Sequence, residues 1–226
     1  MARETEKVPI DRPFNFKEDA NWRIFRIMAE FVEGFEFLAD LRKEVTFFGS
    51  ARFSEESRWY KEALKLGRLL AKAGFTVITG GGPGIMEAGN RGAYEGGGES
   101  VGLDIELPAE QRRNAYVKRG IGFHYFFTRK VMLRASAQAY IFFPGGFGTE
   151  DEFSETITLM QTQKMERVPV ICMGREFWEP FHEWARTIML SKFETISPED
   201  LDLYTIVDSA EEVFELIKDS PERKYF

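Results

Sequence analysis

The chain has a single cysteine, Cys172, and two histidines, His124 and His182, so it can form neither an internal disulfide nor a cysteine and histidine zinc cluster. No apolar run approaches the length of a membrane span, and the first twenty residues, with Pro9, Pro13 and many charges, lack the apolar core of a signal peptide. Cations are outnumbered, 30 lysines and arginines against 37 acids. The net charge of −7 argues against a general nucleic-acid surface but leaves room for a local basic pocket. Two motifs are also missing. The first predicted strand is not followed by Gly-x-Gly-x-x-Gly, and the Walker lysine is absent, which sets aside the standard dinucleotide fingerprint and ATP hydrolysis. What remains is the expectation of a cytoplasmic protein that needs no metal or cofactor and has no nucleic-acid or membrane partner.

At 226 residues, 43% hydrophobic and 30% charged, the chain is long enough to bury a full core. Residues 1–20 read as an extended arm and residues 21–226 as a single domain that begins with a helix. In that helix, Trp22 to Leu41, apolar residues recur with helical spacing, interrupted only by Gly34; so greasy a face either covers a sheet or joins a dimer interface. Strands and helices then alternate. Short apolar runs at Val45–Phe48, Phe75–Ile78, Val101–Ile105, Ile121–Phe127, Ala139–Phe143, Val168–Met173 and Leu203–Val207 read as strands, and helical patterns follow most of them. Such alternation predicts an α/β fold, a doubly wound, mainly parallel sheet of the Rossmann-like kind with helices on both faces. Glu106 to Gly120 has no clear period and reads as a lid or loop with some helix. His124, among aromatic residues, reads as a buried, satisfied histidine.

The stretch Ala139 to Glu152 organises the rest. Its apolar strand stops at Pro144, Gly145 and Gly146, and after Phe147 and Gly148 comes Thr149, suited to cap a helix, with Glu150, Asp151 and Glu152 in the first turn. Unpaired backbone N–H groups and the positive end of a helix dipole make this a seat for a phosphate, and the glycines let the anion reach the backbone. Three acids are too many to sit beside a phosphate, so at least one points elsewhere, and one faces the sugar side of a nucleotide. Two further loops follow strands: Gly49-Ser50-Ala51-Arg52, and Gly80 to Met86 with Gly81, Gly82 and Gly84. In a doubly wound sheet these converge on the carboxyl edge, where ligands bind. Gly49, Ser50, Gly81, Gly82, Gly84 and Met86 are therefore candidate binding residues, although core packing also explains Met86. Arg129 and Lys130, in the first turn of a helix that Thr128 caps, oppose its dipole, which points to an anion they serve; a solvated helix face is the other reading.

The run from Thr79 to Met86, then Arg129-Lys130, then Pro-Gly-Gly-Phe-Gly-Thr from Pro144 to Thr149 with Glu152, resembles the LOG family of cytokinin riboside 5′-monophosphate phosphoribohydrolases, long labelled "lysine decarboxylase-like". The resemblance covers roughly Val45 to Phe181. It implies a Rossmann-like homodimer, or a higher homo-oligomer, that cleaves the N-glycosidic bond of a nucleoside 5′-monophosphate to free base and ribose 5-phosphate. It further implies that Gly145, Gly146, Gly148 and Thr149 hold the phosphate, that Arg129 and Glu152 are the catalytic pair with Lys130 beside them, and that Thr158 is a further contact. Phe147, Glu150 and Asp151 complete the loop's binding set. Asp151 stands where many members have Glu, and AMP is as good a candidate substrate as a prenylated nucleotide. A carrier of a nucleotide or molybdenum cofactor, which would use the same loops without cleaving anything, is the alternative.

Overall fold

A computed structural model describes residues 20–106, 113–135 and 137–223. Among these, seven strands form one sheet: β1 (Glu44–Phe48), β2 (Thr76–Thr79), β3 (Glu99–Ile105), β4 (Arg119–Phe123), β5 (Ala139–Phe142), β6 (Val170–Met173) and β7 (Thr205–Val207). Their spatial order is β4-β3-β2-β1-β5-β6-β7, and every pairing is parallel. The helices are α1 (Ala20–Ala39), α2 (Arg58–Lys72), α3 (Ile85–Glu95), α4 (Phe126–Ala135), α5 (Phe147–Gln161), α6 (Arg175–Trp184) and α7 (Ala210–Ile217). This is the doubly wound α/β architecture that the alternating pattern predicts.

The central strands are continuous apolar runs because both their faces are covered. Val45, Phe47 and Ile141 pack on one side with α2, α3 and α7, while Phe48, Tyr140 and Phe142 pack on the other with α1, α4, α5 and α6. On that second side Trp178 is fully buried against Phe153, with ring centroids 4.9 Å apart, and its indole N–H donates to the Phe142 carbonyl at 3.1 Å. β1 and β5 are neighbours, yet β1 runs on into α2 on one face and β5 into α5 on the other. The loops after them diverge and leave a crevice at the switch point.

α4 has the longest return. It leaves β4 at the edge of the sheet and must carry the chain back past β3, β2 and β1 to reach β5. Its start is fixed from α1, where the buried Glu30 accepts the N–H groups of His124 at 2.9 Å and Tyr125 at 3.3 Å and the Thr128 hydroxyl at 2.5 Å. A carboxylate from a distant helix thus satisfies the two backbone donors that lead into α4 and the Thr128 hydroxyl in its first turn. That capping corrects two expectations. β4 ends at Phe123 rather than Phe127, so Phe126 and Phe127 are exposed in the first turn of α4; and Thr128 lies inside the helix, bonded to Glu30 and to the Tyr125 carbonyl. His124 is exposed rather than buried.

α1 turns Glu30, Gly34 and Leu38 toward the body and leaves Trp22, Phe25, Met28 and Val32 exposed. Of the expected lid, 107–112 lie outside the described residues. Asn114 folds back onto the second glycine loop, donating to the Gly81 and Gly82 carbonyls. The helix expected from Phe177 to Leu190 begins at Arg175 and changes to a π-helix over Ala185–Lys192, and β7 begins only at Thr205, after a 3-10 turn over Pro198–Leu203.

Replacing Glu30 by alanine strands two backbone donors and should cost about 1–3 kcal/mol of stability. Urea unfolding of Glu30→Ala against the parent protein measures it, and an unchanged midpoint would show that the cap contributes nothing.

Candidate active site

The crevice is a cavity of about 740 Å³ lined by all three expected loops: Gly49, Ser50, Ala51 and Arg52 after β1, Gly80 and Met86 after β2, and Pro144 to Thr149 after β5. Backbone hydrogen bonds fasten these loops together. The Ser50 N–H donates to the Pro144 carbonyl at 3.1 Å, and the Ser50 carbonyl accepts the Ile85 N–H at 3.1 Å. Gly84 makes the second junction possible: its φ is +68°, and a Cβ there would strike the backbone of Ser50 and Ala51.

α5 starts earlier than its sequence suggests. Gly146 is the N-cap and Phe147 the first helical residue, so Thr149 sits buried within the first turn, its side chain lying over Gly145, and does not cap the helix. Because the Thr149 and Glu150 amides bond to the Gly146 carbonyl, the amides before them at Phe147 and Gly148 are the outermost donors of the helix start. Phe147 stands almost wholly exposed, at 96%, on the cavity rim.

Two charged groups reach the cavity from opposite helices. Arg129 on α4 donates from Nε to the Leu103 carbonyl at 2.7 Å, and its guanidinium passes over Gly80, where any Cβ would collide with it. Burial pulls its pKa down, opposed by the charges of Glu152 and Asp104, but an arginine starts so high that it stays a cation. Glu152, one turn into α5, has a side chain only 8% exposed, and burial raises its pKa from 4.5 to about 7 against the pull of Arg134, Lys130 and Arg129. A carboxyl group poised near neutrality can both take up and give back a proton at physiological pH.

The three acids diverge as the phosphate argument requires. Glu152 alone lines the cavity; Asp151 is exposed and paired with Lys130 at 2.6 Å, and Glu150 is half-buried, its pKa raised by burial. The structure therefore brings Arg129, Glu152, Gly145, Gly146, Phe147, Gly148, Thr149, Gly49, Ser50 and Met86 to one cavity. Lys130, Glu150, Asp151, Thr158, Gly81, Gly82 and Gly84 do not line it. Lys130 is drawn away by Asp151 and Glu155, Thr158 is exposed and bonded to the Ser154 carbonyl, and Gly81 and Gly84 shape the turn behind Gly80. Arg52, Phe53, Leu133 and Phe177 line the cavity without having been singled out. So did Arg134 escape notice, behind the wall and paired with Glu152; its one signal is its place one helical turn beyond Lys130.

A parallel doubly wound sheet whose loops meet in a cavity at the switch point defines a Rossmann-like α/β protein. Residues 86–217, more than half the chain, match the family model described as "Possible lysine decarboxylase", and the chain belongs to that family, the LOG family. It is 29% identical over 146 residues to the cytokinin riboside 5′-monophosphate phosphoribohydrolase LOG of Oryza sativa subsp. japonica, a match that covers 62% of this chain and 58% of that protein. It is 25% identical over 158 residues to a cytokinin riboside 5′-monophosphate phosphoribohydrolase of Rhodococcoides fascians, covering 68% and 79%. Among solved structures, the molybdenum cofactor binding protein of Rippkaea orientalis aligns with a TM-score of 0.56 and 25% identity over 77% of this chain and 93% of that one. The molybdenum cofactor carrier protein of Chlamydomonas reinhardtii aligns with a TM-score of 0.54 at 19% identity over 78% and 96%, a likeness of fold.

The decarboxylase description does not fit the cavity. A pyridoxal-type cofactor needs a lysine for its Schiff base; among the described residues no lysine lines the cavity, and Lys130 is held by two carboxylates.

The raised Glu152 value can be measured directly. Carboxyl carbon NMR of glutamate-labelled protein should show one resonance titrating near 7, missing in Glu152→Gln. Because the folded value lies above the ordinary 4.5, this proton favours the folded state: its contribution is complete below about 4.5 and is lost as pH rises through about 7. An ordinary midpoint would contradict the burial of this acid.

Proposed function

We propose that the protein hydrolyses the N-glycosidic bond of a nucleoside 5′-monophosphate, AMP or a cytokinin-type nucleotide, to the free base and ribose 5-phosphate. The observation that carries this reading is the placement of Glu152 and Arg129 in one cavity with an α5 helix start whose outermost amides suit a phosphate. Membership of a family with relatives named phosphoribohydrolases supports it.

The 5′-phosphate rests on the amides of Phe147 and Gly148, with Arg52 as a nearby cation. That anchorage sets the ribose beside Glu152. As the bond between C1′ and the base nitrogen breaks, its electron pair leaves with the base and positive charge builds on the ribose ring, which the Glu152 carboxylate stabilises. Water adds to C1′, Glu152 takes its proton and then returns it to solvent, and the departing base nitrogen takes its proton from water. Arg129 is too basic to supply that proton; it positions the substrate and Glu152.

A carrier is the second reading, favoured by the likeness to the molybdenum cofactor binding protein of Rippkaea orientalis. A carrier has less use for a buried acid tuned near neutrality beside an arginine. We infer also that a second copy of the chain covers the outer side of α1, on the strength of the exposed Trp22, Phe25, Met28 and Val32.

A panel of nucleoside 5′-monophosphates, including AMP and a prenylated AMP, followed for both products, tests the reaction. Glu152→Gln should lower turnover by about 100-fold or more while substrate still binds, and activity should rise with pH through about 7 as Glu152 ionises. Tight binding with no product from any nucleotide would leave the carrier.

A further inference from the structure

Arg134, in the last turn of α4, has a side chain only 3% exposed and makes two ion pairs, Nη1 to Glu152 Oε2 at 2.6 Å and Nη2 to Glu155 Oε1 at 2.5 Å. It does not line the cavity. Its own backbone is fixed too, since its carbonyl accepts the Tyr140 hydroxyl at 2.6 Å and Arg223 Nη1 at 2.7 Å, which ties the end of α4 to β5 and to the C-terminal segment. The guanidinium therefore approaches Glu152 from behind the cavity wall, on a backbone with little freedom to move.

We propose that Arg134 is a positioning residue for Glu152: it grips one carboxylate oxygen from behind the wall and so directs the other toward the reacting bond. The proposal rests on the hydrolase reading for its consequence, though not for its geometry. A planar fork divided between two carboxylates fixes orientation in a way that a lone ammonium does not. It also supplies the charge that lets a buried acid ionise. Glu152 is faced by Arg129, Lys130 and Arg134 from α4, by Glu155 from its own helix and by the Tyr140 phenol from β5. Of the cations, Arg134 lowers its pKa most. If Arg134 only tied α4 to α5 through Glu155, removing it would weaken the fold and leave the titration of Glu152 alone.

The test compares Arg134→Met, Arg134→Lys and Glu155→Gln with the parent protein, reading the pH profile of kcat/KM on AMP and the carboxyl carbon titration of Glu152. In Arg134→Met both midpoints should move up by about one unit or more, with kcat at neutral pH falling about tenfold and KM nearly constant. Arg134→Lys should recover most of the ionisation but less of kcat, because it lacks the fork. Glu155→Gln removes a neighbouring negative charge and should move the midpoint down, if at all. If Arg134→Met does not fold, Arg134→Gln combined with Glu155→Gln keeps a hydrogen-bonding side chain at the site without stranding a second acid, and its Glu152 midpoint should still rise.

An unmoved Glu152 midpoint in a folded variant lacking Arg134 overturns the proposal. Absence of hydrolysis by the parent protein would overturn the hydrolase reading instead, and the carboxyl titration would still decide whether Arg134 governs Glu152.

Discussion

A carboxylate taken out of water costs several kcal/mol unless cations meet it, and this protein buries Glu152 in the wall of the crevice between β1 and β5. Much of the surrounding structure accommodates that charge. α4 supplies three cations in six residues, Arg129 toward the cavity, Lys130 toward the surface and Arg134 behind, and α5 answers with Asp151, Glu152 and Glu155. The two helices are joined by an ion-pair ladder whose buried rung is the acid itself. Full compensation would hold Glu152 in the ordinary carboxylate range; what remains of the burial penalty leaves it near neutrality.

The topology decides where this acid can work. Parallel pairing puts every strand's carboxyl end on one edge, and the reversal of order between β1 and β5 opens that edge at one point. α5 begins there and aims its amides into the gap. α4, returning from the far edge of the sheet, lays Arg129 across Gly80 on the way. α1, outside the matched residues 86–217, holds the start of α4 through Glu30, so the position of Arg129 in that first turn depends on a helix more than ninety residues earlier in the chain.

The parts of this arrangement that are local in sequence could be read from it. Strand, glycine break and helix follow one another within about fifteen residues at β1, β2 and β5, and the three loops did meet in one cavity. Contacts between distant segments could not be read that way. The aromatic run through Phe127 looks like strand, yet it turns at His124 because Glu30, more than ninety residues away, caps a helix there. Arg134 looks like one more charge on a helix, since its meaning lies in the two α5 carboxylates it meets, Glu152 and Glu155. Thr149 has the composition of a cap, but Gly146 takes that position and leaves the threonine to pack over Gly145.

On this reading the α5 helix start seats a phosphate and thereby presents a sugar to Glu152. A crystal structure of the protein with ribose 5-phosphate tests it most directly. Phosphate oxygens should lie on the amides of Phe147 and Gly148, with the anomeric carbon of the ribose facing Glu152 and Arg129. Phosphate bound instead on the Gly80 to Gly82 loop, or an anomeric carbon turned away from Glu152, would contradict it.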